Sequence, residues 1–574
     1  MNTFPSHMSS RQAAMVRLRS RASLFFVLAS VVVGTPGLAD APDAHASSPT
    51  LLLDLGELGK HVDPGYLLAQ VGGAWLFWLD ELDYPGNEDD DFLDGSVRFA
   101  LWRTDGSREG TYPLLPPEVS FFYYAGSLDD IAFLVVCRPD GPIVLDEVDY
   151  LCNRPLDLEL WATDGTREGT YRLAGDHESA LPATSSRITL PVPELGLFFF
   201  ITWGRESGYK LWASDGTPEG TRIVESTSDS GLLSFWNLAA FEGEVFFLTS
   251  EPHRKGPRLS IGRTDGTAGG ARFFPAPVRR RVWDTELVPT VDRLFLVVER
   301  NLKPGREDTL PWRTLWKLKK NKKAFHFLGV LGSQRSRFRP FYAFAAPNRV
   351  FFSFFYRGLS EFWSTDGKGP PVLFADAGRG SGSPEYVWVE PWALSGGRAF
   401  FKFYDKEHGY EPWITDGTPA GTERLADLCA TDCSSSPYGL GVFGDSYLFQ
   451  AEDDGRGREL WRWRPEVDAP GTVELVADLC PGSCSSWPTI LERVGDRLIL
   501  AASEESGAIR LWTLGPGTSG AQLLTGTAEL KVGLAEHLFI RRVIQARLIG
   551  NRLVFWATDD EGHRGLWVAQ DLSE

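Results

Sequence analysis

The sequence lacks the residue patterns that mark the common enzyme classes. Its nine histidines are scattered along 574 residues, and it contains no HExxH, GxSxG or P-loop motif. Basic residues are outnumbered, since 58 Lys and Arg face 76 Asp and Glu and give a net charge of −18. Because phosphate binding needs a basic face, this balance excludes nucleic acid as the main partner. The sequence thus predicts a protein that is not an enzyme.

Methionine and long apolar runs are confined to the N-terminal segment. Leu24–Val33 is the longest apolar run there, and about ten residues are too few to span a bilayer core of about 30 Å. Basic residues precede this run, and the small residues Gly37 and Ala39 follow it, which is the order of a secretory signal peptide. We expect a signal peptide over 1–39, with Met15 as an alternative start, and a secreted protein, periplasmic or extracellular, without a transmembrane span.

The rest of the chain, residues 40–574, repeats one phrase about every 50 residues, as repeat architectures do. The clear copies are LWRTDGSREGT (101–111), LWATDGTREGT (160–170), LWASDGTPEGT (211–221), IGRTDGTAGGA (261–271), FWSTDGKGP (362–370) and PWITDGTPAGT (412–422). Weaker copies begin at 315, 460, 511 and 566, which brings the number of units to ten.

Each unit contains four short apolar runs separated by turns, a pattern typical of buried strands. A four-stranded unit cannot bury both faces of its sheet alone, so neighbouring units must stack. The sequence therefore predicts an all-β fold, a β-propeller of about ten four-stranded repeats. Two smaller propellers are the alternative, and a linear β-solenoid is a less favoured one.

The two ends of the repeat region predict how the ring closes. The last unit stops after LWVAQDL (566–572), whereas complete units continue into a strand such as LVADL (475–479). Residues 50–55, TLLLDL, resemble that missing strand, so we expect them to complete the last blade and remove an open sheet edge. An unrelated edge strand at 50–55 is the alternative.

The repeated aspartates of the TDG phrase have two interpretations. Asp side chains accept backbone hydrogen bonds in hairpin turns, and Gly takes the positive-φ position, so a structural turn is favoured. A repeated carboxylate that binds Ca²⁺ is the alternative. The residues concerned are Asp105, Asp164, Asp215, Asp265, Asp366 and Asp416.

The acidic segment 80–94 is a weak candidate for a Ca²⁺ site. Asn87, Asp89 and Asp91 alternate like the first ligands of a calcium loop, and Asp94 follows them. Phe92 stands where such a loop needs Gly, which excludes an EF-hand. A solvated insertion is favoured over a metal site, so no cofactor is expected beyond this weak Ca²⁺ candidate.

The six cysteines form three near pairs, which in an exported chain indicate disulfides. A metal site of the Cys-x₃-Cys type is less favoured because no nearby His completes a ligand set. The pairs are Cys137 with Cys152, Cys429 with Cys433, and Cys480 with Cys484.

Two basic stretches stand out in this acidic chain. They are residues 279–281 (RRR) and 317–323 (KLKKNKK). A solvated hairpin is the favoured interpretation, and docking to an acidic polymer is the alternative.

The phrase LWxTDGTxxGT, followed in one unit by ADLCPGSCSSWP (477–488), resembles the ELWxxDGT repeat family of bacterial secreted proteins. The resemblance covers nearly the whole repeat region and implies an exported repeat protein without catalytic residues to transfer. We expect a binding or interaction scaffold in the cell envelope or outside the cell, with a protein or glycan ligand. The insertions 80–97, 137–157 and 299–312 are expected to share the binding face. The alternatives are a polysaccharide hydrolase or lyase with carboxylates in the central channel, and a Ca²⁺-dependent adhesion protein.

Overall fold

The computed structural model describes residues 49–58, 62–83, 96–115, 120–137, 158–174, 188–204, 207–278, 282–300, 312–319, 324–331, 341–346, 349–356, 359–376, 392–393, 398–430, 433–466, 469–518, 520–524, 531–532 and 546–569. These ranges contain β-strands with only short helical pieces, namely α1 (Leu55–Leu58), a 3₁₀ turn (Pro193–Leu195) and α2 (Thr227–Ser230). Within them, no helix is long and apolar enough to cross a bilayer.

After β1 (Thr50–Asp54), the strands of the first nine blades fall into consecutive groups of four, each of which is one antiparallel sheet, or blade. The tenth blade is a five-stranded sheet that includes β1. The first five blades are β2–β5 (Val62–Val71, Ala74–Asp83, Ser96–Thr104, Tyr112–Pro113), β6–β9 (Ser120–Leu128, Ile131–Cys137, Leu158–Thr163, Thr170–Ala174), β10–β13 (Thr189–Val192, Leu197–Gly204, Gly208–Ser214, Arg222–Ser226), β14–β17 (Ser234–Phe241, Glu244–Glu251, Arg258–Thr264, Arg272–Pro275) and β18–β21 (Val282–Pro289, Leu294–Arg300, Trp312–Leu318, Phe325–Leu331).

Four of the next five blades repeat this order, whereas in the tenth the first two short strands both pair with the third and β1 completes the sheet. These five blades are β22–β25 (Phe341–Ala346, Arg349–Tyr356, Leu359–Thr365, Val372–Asp376), β26–β29 (Trp392–Ala393, Ala399–Asp405, Gly409–Thr415, Thr422–Arg424), β30–β33 (Tyr438–Phe443, Ser446–Ala451, Glu459–Glu466, Ala469–Ala477), β34–β37 (Thr489–Val494, Arg497–Ser503, Ile509–Leu514, Gln522–Leu523) and β38–β41 (Lys531–Val532, Ala546–Ile549, Arg552–Thr558, Arg564–Ala569).

The ten blades form one ring, which confirms the predicted ten-bladed β-propeller over the alternative of two smaller rings. The ring closes in blade 10, where β1 pairs antiparallel with β41 and aligns Leu51 with Trp567 and Asp54 with Gly565. The predicted closing strand at 50–55 is therefore confirmed. The observed strand ends one residue earlier, at Asp54, and Leu55 is the first residue of α1. Closure by the N-terminal strand satisfies an edge that would otherwise be open to pairing.

The antiparallel order gives the ring two distinct faces. Turns between strands one and two, and between strands three and four, leave every blade at one end, which we call the turn face. Connections between strands two and three, and the crossovers from one blade to the next, leave at the opposite end, which we call the crossover face. The fold therefore separates the repeated TDG turns from the connections that vary between units.

The hydrophobic core lies between neighbouring blades. Phe133 of blade 2 stacks on Phe198 of blade 3 with ring centroids 3.9 Å apart. Across the closure, Phe77 of blade 1 meets Trp556 of blade 10 edge-on at 5.5 Å. Aromatic pairs of this kind stabilise beyond their buried area, and they explain why a single blade would not fold alone.

Candidate functional site

The described strand ends that flank the three long insertions lie on the crossover face. In blades 1, 2 and 5, residues 80–97, 137–157 and 299–312 each connect the second strand to the third. The sequence analysis names as the binding surface whichever face carries most of these insertions, and the strand topology makes the crossover face that candidate.

Two crossovers on this face are closed by disulfides. Cys429 is bonded to Cys433 between blades 7 and 8, and Cys480 to Cys484 between blades 8 and 9. Cys429 and Cys480 are buried, so each disulfide has one cysteine in the core. We call each of these disulfides a clip and the two connections that they close the clipped crossovers. The disulfide prediction is confirmed for these two pairs. Only the backbone of Cys137 is described, and Cys152 lies outside the described residues, so that pair remains a prediction.

Each clipped crossover is also anchored by a buried glutamate at the start of the third strand. The carboxylate of Glu411 accepts hydrogen bonds from the backbone N–H groups of Leu428 and Ser435 and from the Ser435 hydroxyl. Burial raises the pKa of Glu411 above that of an ordinary glutamate, although these hydrogen bonds oppose the rise. Glu459 makes the equivalent bonds to the next crossover, with its pKa raised by burial in the same way.

Arg458 joins the two clipped crossovers to each other. Its guanidinium donates to the backbone carbonyl of Ser436 at 2.7 Å and lies over the ring of Trp487, 4.7 Å from the centroid. Ser436 belongs to the first crossover and Trp487 to the second. An ion pair, 2.8 Å long, also connects Arg458 to Glu452. The rim around these loops is therefore fixed by covalent, ionic and stacking contacts.

Between the clipped crossovers lies an open cleft of about 380 Å³, which we call the crossover cleft. Its size lies within the range of small-ligand sites, roughly 300–1,000 Å³. Three carboxylates and one guanidinium dominate its lining. The lining residues are Leu428, Asp453, Asp454, Gly455, Arg456, Asp478 and Gly482.

The charges of the crossover cleft are arranged around Arg456. Its guanidinium pairs with Asp453 at 2.5 Å and approaches Asp478 at 3.5 Å. Asp453 also accepts the backbone N–H groups of Gly455 and Arg456, which fixes the loop between β31 and β32. With one cation among three acids, the cleft keeps an excess of negative charge and suits a cationic ligand group.

The same arrangement recurs in blade 7, where a histidine takes the place of Arg456. His408 hydrogen-bonds Asp405 at 2.7 Å and lies 3.8 Å from Asp427 of the crossover. Arg424 approaches the same two carboxylates at 3.9 and 3.6 Å. Burial opposes ionisation of Asp405, but the hydrogen bonds from His408 and Glu407 lower its pKa below the ordinary value.

Blade 10 contains a third copy of this group, at the ring closure. His563 hydrogen-bonds Asp559 at 2.8 Å and also lies 3.7 Å from Glu561. Asp54 of β1 occupies the position that Asp427 and Asp478 hold in their crossovers. These Asp, Glu and His atoms are close enough to share a cation, but they are exposed and already engaged with one another.

The six TDG aspartates lie in turns between third and fourth strands, on the turn face. Asp215 is representative, since its Oδ1 accepts hydrogen bonds from the backbone N–H and the hydroxyl of Thr217. Gly216 has a φ of +94°, and the Thr221 hydroxyl donates to the Thr217 carbonyl. Asp105, Asp164, Asp265, Asp366 and Asp416 occupy equivalent positions and accept the corresponding backbone N–H. The structure thus places these residues far along the strands from the crossover cleft.

Two further predictions from the sequence concern a Ca²⁺ site and carboxylates in the central channel. Asn87, Asp89, Asp91 and Asp94 lie outside them, so the Ca²⁺ site remains a prediction. First strands of adjacent blades contact each other, for example β6 with β10 and β14 with β18, so they line the centre of the ring. The described side chains of these first strands include the acids Asp284 and Glu286 in blade 5 and Glu492 in blade 9. Carboxylates from neighbouring blades are therefore not brought together at the described part of the centre.

The buried glutamates and the crossover cleft are absent from the sequence predictions. The glutamates had a detectable signal, because Glu411 and Glu459 each precede a repeat Trp by two positions and are followed by a CxxxCSS segment. The crossover cleft had no signal in the sequence, because its residues come from three loops whose proximity depends on how the blades pack.

The comparisons concern fold alone. No family model matches the sequence, and no curated protein is similar to it. Among solved structures, the β-propeller domain of the Trilobed protease from Pyrococcus furiosus matches with a TM-score of 0.29 and 9% identity, covering 75% of this chain and 100% of that one. Its description reports an open velcro topology, whereas β1 pairs with β41 here.

Two further matches are to whole peptidases. Pyrococcus horikoshii acylaminoacyl peptidase gives a TM-score of 0.28 and 11% identity over 67% of this chain and 57% of that chain. Prolyl oligopeptidase B from Galerina marginata gives a TM-score of 0.34 and 9% identity over 70% of this chain and 55% of that chain. The match therefore spans little more than half the length of these two enzymes.

These matches correct the functional prediction. The sequence predicts a non-catalytic envelope scaffold, whereas the solved structures that resemble this chain are peptidase propellers. The scaffold prediction is wrong on this finding and is not carried forward. The prediction that the chain is not an enzyme gives way to a coarser statement, that its fold is one found in peptidases.

Proposed function

We propose that this chain takes part in peptide processing, with its crossover face as the surface that receives a polypeptide. In this proposal, the crossover cleft holds a basic side chain of that polypeptide, Lys or Arg. The role is coupled to peptide hydrolysis and so differs from that of a free-standing scaffold.

The crossover cleft is the observation that carries this proposal. Its three carboxylates exceed its one guanidinium, and the cleft is large enough for a long side chain. The rim is held by two disulfides, by Arg458 and by two buried glutamates, so little ordering would accompany binding. The described strand ends that flank the insertions of blades 1, 2 and 5 lie on the same face.

We propose further that the protein works outside the cytoplasm and belongs with the ELWxxDGT repeat proteins. Two disulfides support the location, because such bonds persist in oxidising compartments. The signal-peptide pattern of residues 1–39 points the same way. Expression with the leader, followed by N-terminal sequencing of the exported product, tests both the cleavage after Ala39 and the location.

Binding of matched peptides tests the role of the crossover cleft. An arginine-containing peptide is titrated against its citrulline counterpart, which has the same shape without the charge, and both are examined by mass spectrometry for cleavage. We expect the arginine peptide to bind more tightly, and Asp478→Asn to weaken its binding roughly threefold, as loss of one partner of a solvent-exposed ion pair does. Fragments in the mixture would show that the chain hydrolyses peptides itself.

Asp496→Asn is the matched control for this experiment. Asp496 is exposed in the turn between β34 and β35, so the substitution removes the same charge from the turn face. Its binding should equal that of the unchanged protein. Equal affinity for the arginine and citrulline peptides would overturn the proposal, as would equal weakening by both substitutions.

A further inference from the structure

Blade 5 has an outer strand that differs from those of the other blades. Edge strands usually carry a charge or Pro that discourages pairing with other chains. Among the described outer strands of four or more residues, β21 (Phe325–Leu331, FHFLGVL) alone has neither a charged residue nor Pro. It is the end strand of its sheet, after β18, β19 and β20, so one row of its backbone groups faces outward.

A bulge places two exposed apolar side chains of β21 on the same side of the sheet. Phe327 is aligned with Trp316 and Val330 with Thr314, while Leu328 is the extra residue between them. Since Thr314 and Trp316 share a face, Phe327 and Val330 do so too. Phe327 is 52% exposed and Val330 is 37% exposed. Among the described residues, this outward edge is therefore apolar and carries neither a charged side chain nor Pro.

The sequence segment that contains this edge is strongly basic. Residues 279–340 contain 16 Lys or Arg and 6 Asp or Glu, a net charge of +10 in a chain whose net charge is −18. Lys317 and Lys319 lie at the end of β20, and Lys319 begins the turn that leads into β21. Burial and the charges of these two lysines lower the pKa of His326, so its ring adds no charge to the strand at neutral pH.

We propose that β21 is a docking edge for an extended acidic segment of a partner polypeptide, which adds to blade 5 as a further strand. The outward N–H and C=O groups of β21 would pair with the partner backbone. Phe327 and Val330 would contact alternate apolar side chains, and Lys317 and Lys319 would attract the acidic ones. This surface is independent of the crossover cleft and of the function proposed for it.

The combination of features favours a polypeptide over a simple polyanion. Charge alone would serve a polysaccharide or polyphosphate equally well, but neither would use an unpaired strand edge with exposed Phe327 and Val330. An apolar strand beside Lys317 and Lys319 matches a peptide in which acidic and apolar residues alternate.

Peptide binding to edge variants distinguishes these partners. The probes are an alternating Glu–Val peptide, the same peptide with N-methylated backbone on one edge, and inorganic polyphosphate. Phe327→Lys and Val330→Lys place a charge on the edge while making the region more basic. We expect each to weaken binding of the Glu–Val peptide about tenfold, because a lysine on an edge strand opposes pairing. A polyanion held by charge alone would instead bind these variants more tightly.

Phe273→Lys provides the matched control. Phe273 is 37% exposed on β17, the outer strand of blade 4, and the substitution adds the same charge to a strand that already contains Arg272 and Pro275. Binding of the Glu–Val peptide to this variant should not weaken, and binding of the N-methylated peptide should be lost in every protein. Peptide binding that survives Phe327→Lys and Val330→Lys, or N-methylation, would overturn the proposal. Unchanged melting temperatures establish that the variants are folded.

Discussion

The hydroxyl of Ser486 donates a 2.6 Å hydrogen bond to the carboxylate of Glu459, and both side chains are fully buried. The backbone N–H groups of Leu479 and Ser486 donate to the same carboxylate at 2.7 and 3.0 Å. Glu411 and Ser435 form the same contact one blade earlier, at 2.7 Å. A glutamate at the start of a third strand thus holds the crossover that leads to the next blade, and with it the rim of the crossover cleft.

Glu459→Gln is expected to destabilise the protein by about 2 kcal/mol, because the amide turns a donor toward a backbone N–H and leaves it unpaired. Thermal or denaturant unfolding measures the loss. Glu505→Gln is the control, since Glu505 is exposed in the connection between β35 and β36. Equal stability of the two variants would show that the Glu459 contacts contribute little.

The sequence predicts the ring, but it does not predict that Glu459 is buried. Ten copies of one phrase require ten similar units, and TLLLDL at 50–55 matches the strand that the last unit lacks, so the ring and its closure were predictable. A glutamate two positions before a repeat Trp, by contrast, does not by itself indicate burial. Its burial depends on N–H groups about 20 residues away, which the fold alone brings to it.

The crossover cleft was unpredictable for a related reason. Asp453 and Asp478 are separated by a complete hairpin, and each occurs in a sequence that resembles any polar loop. The repeated phrase drew attention to the TDG aspartates instead, whose hydrogen bonds lie within their own turns. The repeated phrase predicts the propeller framework, whereas the candidate site consists of residues that differ between units.

Gly565→Ala is expected to open the ring at its closure. A Cβ at this position would lie 2.1 Å from the backbone carbonyl oxygen of Leu53, on the strand that pairs with β41. We expect a loss of about 1–3 kcal/mol, as overpacking against backbone causes, together with dimers or aggregates that form through the freed edge. Unfolding and size-exclusion chromatography measure these effects.

Gly369→Ala is the control for the ring closure. Gly369 has an ordinary backbone conformation and open space around its Cα, so this variant should stay monomeric with nearly unchanged stability. A Gly565→Ala variant that behaves in the same way would contradict closure by β1.

A double-mutant cycle tests the TDG turn in blade 3. A Cβ on Gly220 would lie 2.0 Å from the Asp215 carboxylate, so Gly220→Ala should destabilise the protein by about 1–3 kcal/mol. In an Asp215→Ala background the obstacle is gone, and the same substitution should cost much less. The difference between the two unfolding free energies is the coupling energy. Additive effects would show that Gly220 and Asp215 do not constrain each other.

The His563–Asp559 pair should make stability depend on pH near the closure. The hydrogen bond and the charge of Asp559 raise the pKa of His563, and Asp54 of β1 adds to the rise. A raised pKa gives stability that is full below the unfolded-state value of about 6.5 and is lost as pH rises through the folded-state value. The melting temperature of the unchanged protein should thus exceed that of His563→Gln at low pH and approach it at high pH.

An Asp559→Asn background is the control for this titration. Without the carboxylate partner, His563→Gln should no longer change the slope of melting temperature against pH. A slope difference that persists there would assign the effect to a group other than Asp559.

Disulfide mapping tests the remaining cysteine prediction together with the two bonds of the structure. Alkylation in denaturant without reductant should modify none of the six cysteines if Cys137 and Cys152 are paired, and two if they are not. Replacing Cys480 and Cys484 by Ser should cost about 2 kcal/mol, the value for a loop of about five residues. Cys480 is fully buried and follows Leu479, whose backbone N–H donates to Glu459. The disulfide and Glu459 therefore hold the same crossover. In a Glu459→Gln background the cost of losing the clip should therefore depart from additivity, whereas in a Glu505→Gln background it should not.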